Sequence, residues 1–246
     1  MINRVSFKIV IWIIFLISFC NNIIGQNKNE TSMQLSARQQ RIIQISAYTA
    51  KGDLENAKLV LNNGLDDGLT INEIKELLVH LYAYCGFPRS IRGLQTFMEV
   101  LDERRSKGII DNIGIEASPI DETESKYERG KAILEKLTGK PQSELKNGYA
   151  EFAPIIEIFL KEHLFADIFE RDVLTFAERE LITISVLASI GGVEPMLRSH
   201  FQICLVQGFT PHQLNEFLQI ISSVIGNNEI QAAEEVLNDL LSNYKK

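Results

Sequence analysis

One helical unit occurs twice in this chain, and that repetition constrains the fold more than any other feature. Leu35, Ile43, Ile45 and Ser46 recur as Leu174, Ile182, Ile184 and Ser185 at a spacing of 139 residues, and Gly68, Thr70, Glu76, Leu78 and Gly86 recur as Gly208, Thr210, Glu216, Leu218 and Gly226 at 140. The two blocks are one duplicated unit with a one-residue slip. Duplication lets one copy keep reactive groups while the other keeps packing. Positions apolar in one copy and ionisable in the other therefore become candidate site residues.

The pattern inside each copy is helical. Ser36-x-x-Gln39 and Thr175-x-x-Glu178 are capping-box sequences that open a first helix, and Ile42, Ile43 and Ile45 follow at helical spacing. A second helix is expected over about Leu54 to Leu61 in copy one, ending at Gly64 or Gly68, and over Glu194 to Val206 in copy two, ending at Gly208. Thr70-x-x-Glu73 and Thr210-Pro211-x-Gln213 start a third helix with an apolar stripe of Ile74, Leu77, Leu78 and Leu81, matched by Leu214, Phe217, Leu218 and Ile221. Gly86 ends it, and Pro88 opens a fourth helix running to about Arg105, mirrored by Glu229 to Tyr244. Between the copies, Lys107 to Glu124 has no period and reads as a loop; Lys126 to Leu137 and Tyr149 to Phe165 read as linking helices. No alternating strand pattern occurs. The expected fold is all-α: a signal peptide over 1–25, repeat one over 34–105, a linking segment over 106–173 and repeat two over 174–246. The apolar faces of the repeats should pack on each other or on another subunit.

The chain opens with Arg4 and Lys8 and the apolar run Ile9 to Ile17, too short for the roughly 18 to 20 residues that span a bilayer. This reads as a secretory signal peptide with the mature chain starting near Gln26, hence a secreted or periplasmic protein. A lipoprotein attached through Cys20 is the weaker alternative, because the bulky Phe19 stands where a small residue is expected. Removing Arg4 and Lys8 takes the formal charge from −7 to −9. An acidic surface without clustered Lys and Arg argues against nucleic acid or anionic membrane as partner. Only Cys85 and Cys204 remain in the mature chain, without a C-x-x-C pair, which excludes a disulfide scaffold or zinc ribbon. Both free thiols and a single bridge are compatible with that spacing.

Comparison of the copies singles out three residues. His80 faces Ile220 in the sister copy, so its position is expected to be shielded and to need a partner or ligand. His200 corresponds to Val60 or Leu61, and Glu180 to Arg41. Copy two thus holds the glutamate and one histidine, and copy one holds the other histidine. The bland reading is a satisfied core histidine and an ordinary solvated carboxylate. His163 and His212 read as surface residues, and Cys85 sits at a helix C-terminus, where the dipole disfavours thiolate. No nucleophile elbow, phosphate loop or metal-ligand cluster is present in the sequence.

Leu174-Thr175-x-x-Glu178-Arg179-Glu180-Leu181-Ile182-Thr183, Leu197-Arg198-Ser199-His200, Gly208-Phe209-Thr210-Pro211, Glu76-Leu77-Leu78-Val79-His80-Leu81 and Tyr84-Cys85-Gly86-Phe87-Pro88 together resemble the carboxymuconolactone decarboxylase family. Tyr127-Glu128-Arg129-Gly130 and Leu137-Thr138-Gly139 resemble the stretch before its repeat. The resemblance implies an alkylhydroperoxidase-like helix bundle, usually a homo-oligomer, with either decarboxylation of a carboxylated lactone or thiol-dependent hydroperoxide reduction as activity. It maps the family's glutamate to Glu180 and its histidines to His200 and His80. The peroxidase branch carries a C-x-x-C before the histidine, and here Val193 and Met196 stand at those positions. The expectation is therefore a cofactor-free acid/base lyase acting on an unsaturated lactone or keto acid, at one composite His80, His200 and Glu180 site formed where the copies meet. One imidazole would donate to the developing enolate oxygen and the other would protonate carbon. The alternatives are a peroxiredoxin-like oxidoreductase and a non-catalytic secreted binding or oligomeric module.

Overall fold

The computed structural model describes residues 34–142 and 148–244; the signal-peptide reading over 1–25 lies outside them. Eight of the helices follow the two copies. Copy one contributes α1 (Ala37–Lys51), α2 (Leu54–Asp66), α3 (Ile71–His80) and α4 (Tyr82–Ser106). After α5 (Lys126–Thr138), α6 (Gly148–Phe152), α7 (Pro154–Phe159) and a π-helical stretch (Leu160–Phe169), copy two contributes α8 (Phe176–Ile190), α9 (Glu194–Val206), α10 (Pro211–Ile221) and α11 (Asn227–Asn243). No strand occurs among the described residues, and no helix there is long and apolar enough to cross a membrane.

The start signals act as their chemistry requires. Ser36 with Gln39, Thr70 with Glu73, Thr175 with Glu178 and Thr210 with Gln213 each close a reciprocal capping box, so the orphan amides that open α1, α3, α8 and α10 are met locally. The recurring serines also behave alike: Ser46 donates to the Ile42 carbonyl at 2.7 Å and Ser185 to that of Leu181 at 2.6 Å. A hydroxyl returned to its own helix can be buried without an unmet polar group.

Helices α1 and α8 pack on each other at the centre of the unit that begins at Ser36. Ile42, Ile43 and Ile45 of α1 and Leu181, Ile182 and Ile184 of α8 are all fully buried. Every residue of α8 from Arg179 to Ser189 is buried, which marks a helix enclosed on all sides. The third helices cross over. Helix α3 of copy one packs on α8 of copy two, and α10 of copy two packs on α1 of copy one. Groups from opposite copies therefore meet at both crossings, and the chemistry on α3 is delivered to α8 rather than to its own first helix.

Several boundaries differ from expectation. Helix α2 continues past Leu61 to Asp66 with Gly64 inside it, where Ile45 and Leu69 pack closely over the glycine; Gly68, at φ +91°, takes the left-handed turn. Copy one's third helix stops at His80 rather than at Gly86, and a further turn from Tyr82 leads to Gly86 (φ 81°, ψ 161°), where the backbone kinks before Pro88. The second linking helix is split at Pro154, whose ring cannot continue α6, and it runs on as the π-helical stretch to Phe169. The linking loop is irregular, as read. It is tied to the start of α3 by Ile71 N–H and Asn72 N–H donating to Asn112 and Ile113 carbonyls, both at 2.9 Å, and to the end of α4 by the Arg104 guanidinium on Asp111.

Linking helix α5 and the π-helical stretch form a second apolar cluster of Ile133, Leu137, Leu164, Phe165, Ile168 and Phe169. Tyr82, Tyr84 and Ile203 pack against it. The two segments approach so closely that a Cβ on Gly130 would sit 1.8 Å from the Lys161 carbonyl oxygen. This layer brings Phe169 edge-on to His80, with ring centroids 4.9 Å apart.

Candidate functional site

At the α3–α8 crossing a buried ionic cluster joins the copies. Arg179 of α8 is fully buried, and its guanidinium donates at 2.7 Å to Glu76 of α3, at 2.7 Å to the Arg171 carbonyl and at 3.2 Å to His80 Nδ1. Arg171 adds two further bonds to the Glu76 carboxylate, at 2.9 and 3.1 Å. Burial, and to a lesser extent the Arg171 charge, push the Arg179 guanidinium down, and Glu76 opposes that shift.

His80 is fully buried, and both of its ring nitrogens are engaged. Nδ1 accepts from Arg179, so the proton sits on Nε2, which donates to Thr183 Oγ1 at 3.1 Å; Thr183 in turn donates to the Arg179 carbonyl at 2.9 Å. Burial first, then the charges of Arg179 and His200, hold its pKa well below 6.5. It is a neutral imidazole with a fixed tautomer. The shielding read from Ile220 is present, and the partner is supplied by the protein.

Glu180 is also fully buried, not a solvated carboxylate, and its Oε2 meets His200 Nδ1 at 2.7 Å. The His200 side chain is 17% exposed, and its Nε2 is left for the surroundings. A carboxylate that takes Nδ1–H fixes the imidazole tautomer and turns Nε2 outward, which is the arrangement of an oriented acid/base histidine. The second Glu180 oxygen, Oε1, is buried without a hydrogen-bond partner.

Between the histidines stands Tyr84, which the sequence reading passed over. Its ring centroid lies 5.5 Å from that of His80 and 5.9 Å from that of His200, so one aromatic ring separates the two imidazoles. Its hydroxyl oxygen is buried and has no hydrogen-bond partner; the Thr183 hydroxyl comes near without hydrogen-bond geometry. Burial and the Glu180 charge push the phenol far up, so it stays protonated. The copy comparison held a signal for it, since Tyr84 corresponds to Val224 at the spacing of 140. Arg179 was harder to find: its counterpart is Gln40, also polar, and an arginine in the first turns of a helix reads as solvated.

The sister crossing lacks this set. There Gln40 donates to Glu216 at 3.5 Å, Ile220 replaces the histidine, and Arg41 turns out to Asp67 at 2.7 Å. The structure thus brings His80, Glu180 and His200 to one side of the copy interface, around Tyr84.

The cysteines lie elsewhere on the reactivity scale. Burial pushes the Cys85 thiol up to about 11, and its Sγ donates to the Leu81 carbonyl at 3.2 Å. Cys204 is fully buried and raised well above its ordinary value by burial and then by Glu180. Both are free thiols. Among the described residues no group of three or more His, Cys, Asp or Glu is arranged to hold a metal ion. His163 is exposed and pairs with Asp167 at 3.0 Å, and His212 is exposed as well.

Comparison with known proteins finds two matching blocks. The sequence model of the carboxymuconolactone decarboxylase family matches residues 25–97 and 157–239, together more than half of the chain. The 4-carboxymuconolactone decarboxylase of Acinetobacter baylyi is 28% identical over 122 residues, 48% of this chain and 90% of that relative. Both repeats carry the match, and the chain belongs to the carboxymuconolactone decarboxylase family as a tandem two-repeat member.

Proposed function

We propose that this protein is a cofactor-free acid/base lyase of the decarboxylase type, acting on a small unsaturated lactone or keto acid, with His200 and Glu180 as its proton-transfer pair. The observation that carries this reading is the 2.7 Å contact between a fully buried Glu180 and a partly exposed His200, which leaves one imidazole nitrogen for a ligand. Family membership and the decarboxylase relative support the reaction type.

In such a reaction the bond between carbon and the departing carboxylate breaks, and its electron pair moves into the conjugated carbonyl as an enolate. Carbon then takes the Nε2 proton of His200 in its imidazolium form, whose Nδ1–H stays on the Glu180 carboxylate; this leaves a neutral imidazole whose Nε2 takes a new proton from solvent. His80 acts as a positioning residue. Neutral and bonded on both nitrogens, it anchors α3 to α8 and backs the Tyr84 ring. The raised thiols of Cys85 and Cys204 disfavour thiolate chemistry. An oligomeric assembly and export from the cytoplasm belong to the same proposal.

The test is a parallel screen of the purified chain against unsaturated lactone acids, keto acids and organic hydroperoxides, with carbon dioxide release and free-thiol titration as readouts. Carbon dioxide release that drops about 100-fold or more in E180Q and H200A supports the lyase. Thiol loss on hydroperoxide addition refutes it in favour of the oxidoreductase, and no turnover anywhere favours the non-catalytic module.

A further inference from the structure

Tyr84 has three properties that packing does not explain together. Its ring is wedged between His80 and His200, its hydroxyl oxygen is shut away from solvent, and that hydroxyl has no partner. A buried hydroxyl without a hydrogen bond costs stability, and such groups persist where something other than folding uses them. The sister position, Val224, shows that the fold is satisfied there by an apolar side chain of smaller size. The extra oxygen is therefore present in copy one only, and its ring meets His200 of the Glu180–His200 pair of copy two.

We propose that Tyr84 is a ligand-contacting residue, whose hydroxyl donates a hydrogen bond to the carbonyl oxygen of a lactone or keto acid bound beside His200. Resting on the site reading above, this names the group of the substrate that Tyr84 recognises: an oxygen that accepts and carries no proton of its own. Several features of the site fit that role. Tyr84 offers a neutral donor at all physiological pH, while the terminal nitrogens of Arg179 and the Nε2–H of His80 are already committed to Glu76, the Arg171 carbonyl, His80 Nδ1 and Thr183. As charge builds on the carbonyl oxygen during loss of carbon dioxide, a preplaced donor in a dry setting stabilises it more than it stabilises the ground state. His200, perpendicular to the same ring with centroids 5.9 Å apart, would serve the carbon end.

The decisive variant is Y84F, which removes one oxygen and keeps the ring between the histidines. Three readouts are compared with the parent chain: the thermal midpoint without ligand, the infrared carbonyl stretch of bound carbonyl-labelled 2(5H)-furanone, and kcat and KM for any lactone acid that turns over. The expected results are an equal or higher thermal midpoint, a lowered carbonyl stretch in the parent that returns towards the free value in Y84F, and a kcat about 100-fold lower with KM little changed. A lower midpoint or failure to fold makes the hydroxyl a structural bond to Thr183 and overturns the proposal. So does an unchanged carbonyl shift, or failure of the parent to bind the furanone. The two readings fail separately. A carbonyl shift that Y84F abolishes in a protein with no lyase turnover sinks the lyase alone, and undiminished turnover by Y84F sinks the Tyr84 role alone.

Discussion

Replacing Glu76 by glutamine tests whether the copies are locked together by the ionic cluster at the α3–α8 crossing. Glu76 is 4% exposed and takes bonds from two guanidiniums, one of which, that of Arg179, has no exposure. The E76Q side chain still fits, but the charge is gone. Arg179 is then a buried cation held by a backbone carbonyl and a neutral imidazole, with its Nε already lacking a partner. Stranding one member of a buried pair costs about 3–5 kcal/mol. Against a total of about 5–15 kcal/mol that is a large fraction, and at about 2–4 °C per kcal/mol for a unit of this size the thermal midpoint falls by about 6–20 °C. The exposed pair of Arg41 and Asp67, with side chains 28% and 31% exposed, provides the control: R41A costs about 1 kcal/mol or less. Urea unfolding measures both, as a shift of midpoint at constant slope. The R179Q/E76Q double variant removes the stranded cation, so its loss is smaller than the sum of the single losses by about 0.5–3 kcal/mol. A loss in E76Q no larger than that in R41A, or strictly additive losses in the cycle, would refute the view that this cluster is a coupled buried unit.

Two further outcomes follow from the same geometry. His80 is neutral in the fold with its pKa well below 6.5, whereas in the unfolded chain it takes a proton near 6.5, so below about that pH the unfolded state binds more protons than the folded one. Stability is therefore full above about pH 6.5 and falls on acidification at up to about 1.4 kcal/mol per pH unit from this group. Urea midpoints measured between about pH 5 and pH 7 should show that slope flattened in H80Q, and an equal slope in both chains removes His80 as its source. A methyl group at Gly130 would press on the Lys161 backbone carbonyl at 1.8 Å, so G130A should lose about 1–3 kcal/mol or more by thermal melting; an unchanged midpoint means that α5 and the π-helical stretch can separate freely.

How far the site could be read from the residues depended on what each sister position revealed. His80 was legible because its sister residue is the apolar Ile220; the full burial of His80 was not, since Ile220 itself is only half-buried. Glu180 gave less. Its counterpart Arg41 is charged and turns to the surface, so burial of the carboxylate followed only from the enclosure of α8 by its neighbours. Tyr84 was visible in principle against Val224, but a tyrosine beside a helix end reads as packing until its hydroxyl is seen without a partner. The π-helical stretch had no warning in the apolar pattern, because side-chain periodicity does not separate one helical hydrogen-bonding register from another over ten residues.

By itself the order of residues determined the local architecture: four capping boxes, the glycine stops, the helical stripes and the duplication are short-range matters of hydrogen bonding and periodicity, and each is written within a few neighbouring positions. Only the tertiary structure decided which faces meet. Because α3 crosses onto α8 of the other copy, Glu76 and His80 are brought to Arg179 and Thr183, about a hundred residues away along the chain. A pairing at that distance depends on how whole apolar faces close together, and no local signal encodes it.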